Sequence, residues 1–93
     1  MTTDGATQTQ LNSCAELVIA MKLSTTRSEA DAGLARKSAA LAWSRHGDPS
    51  LTRAVQVIIT EAIEAGYAQA LGDIQDGGLD GEIAAWRPGL AGG

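Results

Sequence analysis

DPSLTRAVQVIITEAIEAGYAQALGDIQDGG, residues 48–78, is the stretch whose reading decides the fold. Leu51, Val55, Ile59, Ile63, Tyr67 and Leu71 recur at every fourth position, a spacing that a helix gathers towards one side. At roughly 100° per residue, each step of four overshoots a full turn by about 40°. The apolar stripe therefore winds around the rod and asks for different neighbours along its length. Asp48 suits an N-cap and Pro49 a first helical position, where its missing N–H costs nothing. The spacing predicts a helix from there to between Leu71 and Gln75. Gly66 and Gly72 each cost roughly 1 kcal/mol relative to Ala, which places an expected bend near Gly66. Asp76-Gly77-Gly78 closes the segment.

Upstream, Ser28-Glu29-Ala30-Asp31 resembles a capping box with Asp in the usual Glu or Gln position. It predicts a second helix to about Arg45 or His46, whose basic groups suit a negative helix end, with Gly47 in the left-handed cap position. Leu34 and Leu41 share a stripe with Ala30, while Trp43 lies nearly opposite, so two sides of this helix are apolar. Downstream, Leu79-Asp80 predicts a short fourth helix capped by Asp80. Ile83 and Trp86 are expected to seat it on the bundle before Pro88.

Residues 11–24 admit two readings. As a helix, Leu11, Cys14, Leu17 or Val18, and Met21 fall on one side; as a strand, Leu17, Ile19, Met21 and Leu23 alternate with Val18, Ala20 and Lys22. The abundance of Ala, Leu, Met, Glu and Lys favours helix. Under the strand reading, the order strand, helix, helix over residues 16–65, with Gly47 to Thr52 opening the second helix, resembles a ribbon-helix-helix regulator. That resemblance implies a dimer whose paired strands enter the DNA major groove, acting as a transcriptional regulator or antitoxin. Two departures stand against it: the outward strand face, Glu16, Val18, Ala20 and Lys22, carries one cation, and the connection between strand and second helix is long.

Composition bounds the rest. Ninety-three residues with 44% hydrophobic content fit one small domain, but the chain has no Phe and its aromatics are Trp43, Tyr67 and Trp86. Much of the apolar count is Ala, whose burial stabilises little because the gain scales with area. A marginal core and self-association as a homodimer are expected. Residues 22–53 carry a balance of plus three and residues 54–93 of minus five, within a net charge of -4. The basic middle and the acidic end either face each other or leave an acidic surface for a basic partner.

No catalytic, cofactor-binding or metal-binding constellation emerges. His46 is the one histidine and Cys14 the one cysteine. A helix-end role is expected for the first and a small buried hydrophobe for the second. The single thiol fits a reducing cytoplasm, and neither a signal peptide nor a membrane span is expected. Asp76 to Arg87 falls short of a calcium loop, since Gly78 and Arg87 stand where oxygen ligands are required.

The sequence therefore predicts an all-α small helical bundle of three main helices plus a short C-terminal helix. Its organisation is a flexible arm over residues 1–10, one helical domain over 11–87, and a flexible Gly-rich tail over 88–93. The function expected is non-enzymatic: a regulator, inhibitor or adaptor that binds a larger protein partner. The contact residues expected are Trp43, Val57, Tyr67, Asp73, Asp76, Asp80, Glu82 and Trp86, because aromatic anchors commonly dominate interfaces. Nucleic acid is the secondary partner class, no membrane is expected, and no cofactor is implied.

Overall fold

The computed structural model describes residues 2–91, with side chains from Thr7 to Gly89. Every element among them is helical: α1 (Thr2–Thr25), α2 (Glu29–His46), α3 (Arg53–Gln75), α4 (Asp80–Trp86) and the single turn α5 (Pro88–Ala91). Three long helices and a short C-terminal one are thus present as expected. Residues 16–23 lie inside α1, which overturns the strand reading and removes the basis of the ribbon-helix-helix resemblance. A strand there would have needed a partner edge, whereas the helix pairs Lys22 with α3 directly. Residues 2–10, read as a flexible arm, are the first turns of α1. Thr7 to Gln10 are exposed, and the Gln8 amide donates to the Asn12 side chain at 3.0 Å, one turn on. Within the expected tail, 88–91 form α5, while Gly92 and Gly93 lie outside the described residues.

Cap chemistry sets the α2 boundaries. The Ser28 hydroxyl accepts from the Asp31 N–H at 3.1 Å, half of a capping box. The other half is not made: the Asp31 carboxylate accepts instead from the Gln75 amide at 3.3 Å, tying the start of α2 to the end of α3. At its far end, Gly47 is not left-handed as expected (φ -58°, ψ 141°). It is needed for a different reason. A Cβ there would come within 2.5 Å of the Trp43 ring, so the indole can fold over the chain only if this position has no side chain.

The start of α3 differs from the sequence reading by one turn. Asp48 does not cap the helix but closes a turn, accepting from the Ser50 N–H at 2.9 Å and the Ser50 hydroxyl at 2.7 Å. Short acidic side chains favour this local bond over waiting for a helix. Thr52 takes the cap role, its hydroxyl accepting from the Val55 N–H at 3.4 Å. The other end stops at Gln75 as expected, through a Schellman arrangement. Gly77 sits at φ 81°, its N–H donates to the Ile74 carbonyl at 3.1 Å, and the Gly78 N–H donates to the Asp73 carbonyl at 2.8 Å. α3 runs unbroken through Gly66. At α4 the cap position is Leu79, with no side-chain bond, so Asp80 is the first helical residue rather than the cap.

α3 is the centre. Both α1 and α2 pack on it rather than on each other, while α4 packs mainly with α5. Trp43 reaches Thr60 and Asp31 reaches Gln75, so α2 runs antiparallel to α3. The molecule is elongated, 60 × 27 × 24 Å. What lies between the helices is small: among the described residues the buried apolar ones are Val18, Ala35, Ala39, Ala65 and Ala68, and no large side chain is fully buried. Gly72 is buried too. The expected stripe of every fourth residue on α3 does not enter this core; none of its six members is buried. On α1 the inward positions are Leu11, Ala15, Val18, Lys22 and Thr25; of the helical reading, Leu11 and the Val18 alternative face inward, while Cys14, Leu17 and Met21 are exposed. Cys14, expected to be buried, is exposed for that reason.

Close packing through alanine makes enlargement costly. Ala68→Leu is expected to destabilise by about 1–3 kcal/mol through overpacking, with a lower melting temperature by circular dichroism. Ala62→Leu, on the exposed side of the same helix, should leave the melt within about 0.5 kcal/mol of wild type.

Candidate interaction surface

The charged groups divide into those the fold consumes and those it leaves open. Between α1 and α3, the Lys22 ammonium lies 2.6 Å from Glu64 Oε1 and 2.9 Å from Glu61 Oε2. Glu64 is buried, and the lysine is the ionic partner of its Oε1, though the contact is not a well-directed hydrogen bond. The two carboxylates, Glu64 first, hold the Lys22 pKa above the ordinary lysine value. At the C-terminal end of α3, Arg27 donates to both oxygens of Asp76, at 2.9 and 2.6 Å. This fork raises the Arg27 pKa and lowers that of Asp76. The guanidinium also lies over Gly72, where a Cβ would approach it to 3.2 Å. Part of the basic middle therefore does face the acidic end.

Of the eight contact residues expected from the sequence, the structure brings some together and separates others. Trp43 is half-buried; its indole N–H donates to the Thr60 hydroxyl, which in turn donates to the Gln56 carbonyl at 2.8 Å. Val57 is exposed beside it, in an open cleft that also includes Arg53, Gln56 and Glu61. Tyr67 lies elsewhere, between Leu34, Lys37, Ser38 and Leu41 of α2. Asp73 is half-buried and accepts from the Gln69 amide at 2.9 Å. Asp76 is engaged by Arg27 and is not a free carboxylate. Asp80 and Glu82 are exposed on α4, and their carboxylates make no hydrogen bond or ion pair among the described residues. Trp86 is not seated on the bundle as expected: it is 69% exposed, on a helix that packs mainly with α5. Glu82 and Trp86 stand four apart and share a helix face.

Sequence reasoning missed an open apolar region, the seam between α2 and α3. Leu51, Ile59 and Ile63 line a cleft of about 300 Å³ with Ala42, Trp43 and His46. Further along the same seam Tyr67 meets Leu34 and Leu41. The signal lay in the four-residue spacing itself, whose drift carries Ile59, Ile63 and Tyr67 away from Ala65 and Ala68. On α1, Leu17 and Leu23 are also strongly exposed. No group of His, Cys, Asp or Glu able to hold a metal ion occurs among the described residues, and none of their helices is long and apolar enough to cross a membrane. Comparison with protein-family models, curated proteins and solved structures returns no match for this chain.

The Lys22 cluster gives a measurable linkage. Because its pKa is raised on folding, its contribution is complete below the unfolded value and is lost as pH rises through the folded one. Urea midpoints of the wild type should fall between neutral pH and pH above 10.5, with a smaller fall in Lys22→Met. At neutral pH that variant is expected to lose roughly 1–3 kcal/mol, because Glu64 remains buried without its partner. Lys22→Met/Glu64→Leu should recover part of the loss.

Proposed function

We propose that the protein is a small non-enzymatic binding protein that regulates, inhibits or adapts a larger protein partner through α4. The observation that carries this reading is Trp86, 69% exposed on a helix that packs little on the rest of the bundle. A large aromatic ring left in water is unusual unless another surface covers it, and Trp is among the commonest interface anchors. Glu82 on the same face and Asp80 at the helix start are carboxylates without internal partners. They favour a partner with a basic rim, which steers encounter and sets orientation more than it adds affinity. Asp73 and Asp76 contribute little to that surface, since Gln69 and Arg27 already occupy them.

Trp86→Ala and Asp80→Asn/Glu82→Gln should fold as wild type, because these side chains touch little within the chain. Tagged wild-type protein used for affinity purification from the native host should retain a protein that Trp86→Ala loses, a drop of about 30-fold or more in affinity for a hot-spot anchor. The charge variant should weaken binding and flatten its salt dependence. An identical set of co-purifying proteins for wild type and Trp86→Ala ends this reading.

A further inference from the structure

The helix α4 is seven residues long, well short of the ~12–15 at which a helix alone becomes marginal in water. A helix so short is held by the surface it lies on, yet its main neighbour is the single turn α5. Leu79, Ile83 and Trp86 recur at i, i+4 and i+7, which makes one apolar stripe with Asp80 and Glu82 on its two flanks. A complementary surface lies at the same end of the molecule. Asp31 bonds Gln75, so the start of α2 adjoins the end of α3, close to where α4 begins. Leu34, Lys37, Ser38, Leu41 and Tyr67 line a cleft of about 310 Å³. Ile74 is exposed on the Tyr67 face of α3, two turns nearer to α4. From Ala32 to His46, α2 carries no carboxylate, and Lys37 makes no ion pair among the described residues. One surface is thus apolar with carboxylates beside it, and the other is apolar with an ammonium at its rim.

We infer that α4 is a latch that closes over this cleft of its own chain, seating Trp86 against Leu34, Leu41 and Tyr67 with its carboxylates towards Lys37. The conformation described above is the open one. Reach allows closure: Lys37 lies about 9 Å along α2 from Asp31, and Tyr67 about 12 Å back along α3 from Gln75. At the same rise α4 spans about 10 Å, so laid antiparallel on α3 it brings Trp86 level with both. The Gly77 and Gly78 amides stay bonded to the end of α3. The link that opens is the next one, where the Asp80 N–H donates to the Gly77 carbonyl at 3.3 Å. A tether this short holds α4 at an effective concentration in the millimolar range, so its own chain outcompetes a second copy. Closure also regulates the surface proposed above, a consequence that rests on α4 being the partner-binding element: a seated Trp86 is hidden, and a partner must wait for the latch to open.

In the full-length wild type, nuclear Overhauser contacts are expected from the Trp86 indole to the methyls of Leu34 and Leu41 and to the Tyr67 ring. They should persist on dilution and should not cross between chains in a mixture of labelled and unlabelled protein. Leu34→Asp/Leu41→Asp should abolish the contacts to Tyr67 while leaving the helical circular dichroism intact. By removing the closed population it should also tighten partner binding, about tenfold where roughly nine chains are closed for each open one. Lys37→Glu should weaken the contacts, and Lys37→Glu/Asp80→Lys/Glu82→Lys should restore them. A wild type without these contacts, or with contacts only between chains, overturns the inference and leaves α4 standing as the binding element. Partner capture unchanged by Trp86→Ala ends that earlier reading instead, while the contacts in the wild type still establish closure.

Discussion

Everything in this molecule rests on one narrow strip of α3, where Glu64, Ala65, Ala68 and Gly72 are the buried positions. α1 and α2 are held together because both lie on that helix, not because they grip each other. Small side chains let the backbones approach closely, and dispersion contacts accumulate along the whole length instead of at a few large knobs. Ala35 and Ala39 answer from α2 and Val18 from α1. The same choice explains why large apolar residues are displaced outward: there is no room for them where the helices meet.

Polar groups then fix how the helices sit along that strip. An alanine surface has little relief and does not by itself set the position of one helix along another. Lys22 between Glu61 and Glu64 sets α1, and Asp31 with Gln75 sets α2. Arg27 on Asp76 closes the turn between the first two helices onto the end of the third. The first of these is the least exposed and the most costly to break, since a buried carboxylate left without its ammonium has nowhere to turn. The Arg27 fork is open to solvent and serves position more than stability.

Much of this was legible in the sequence where the signal was local. The Ser28 cap, the close of α2 at His46 and the stop at Asp76-Gly77-Gly78 depend on residues within a turn of each other, and they fall where the sequence places them. Signals with two outlets were misread. Asp48 had a turn as well as a helix to serve and took the turn, leaving the cap to Thr52. Periodicity was misleading where size ran against it. On α1 and α3 the eye follows Leu, Ile and Met, but beside Val18, which the spacing allowed, the inward positions include Ala15, Ala65 and Ala68. Among the expected contact residues, Trp86 and Glu82 emerge with open surfaces, while Asp76 is taken by an arginine 49 positions away. A contact that distant leaves no trace in local spacing.

An interior made of alanine also has a calorimetric signature. The heat capacity gained on unfolding grows with the apolar area newly wetted, and for a chain of this size it is ordinarily about 1.1–1.4 kcal/mol/K. The small residues between these helices wet little when they separate. An isolated chain should therefore have a flat free-energy curve against temperature, lacking the pronounced curvature that brings cold unfolding within reach. Any steepness must come from surfaces that meet outside this interior.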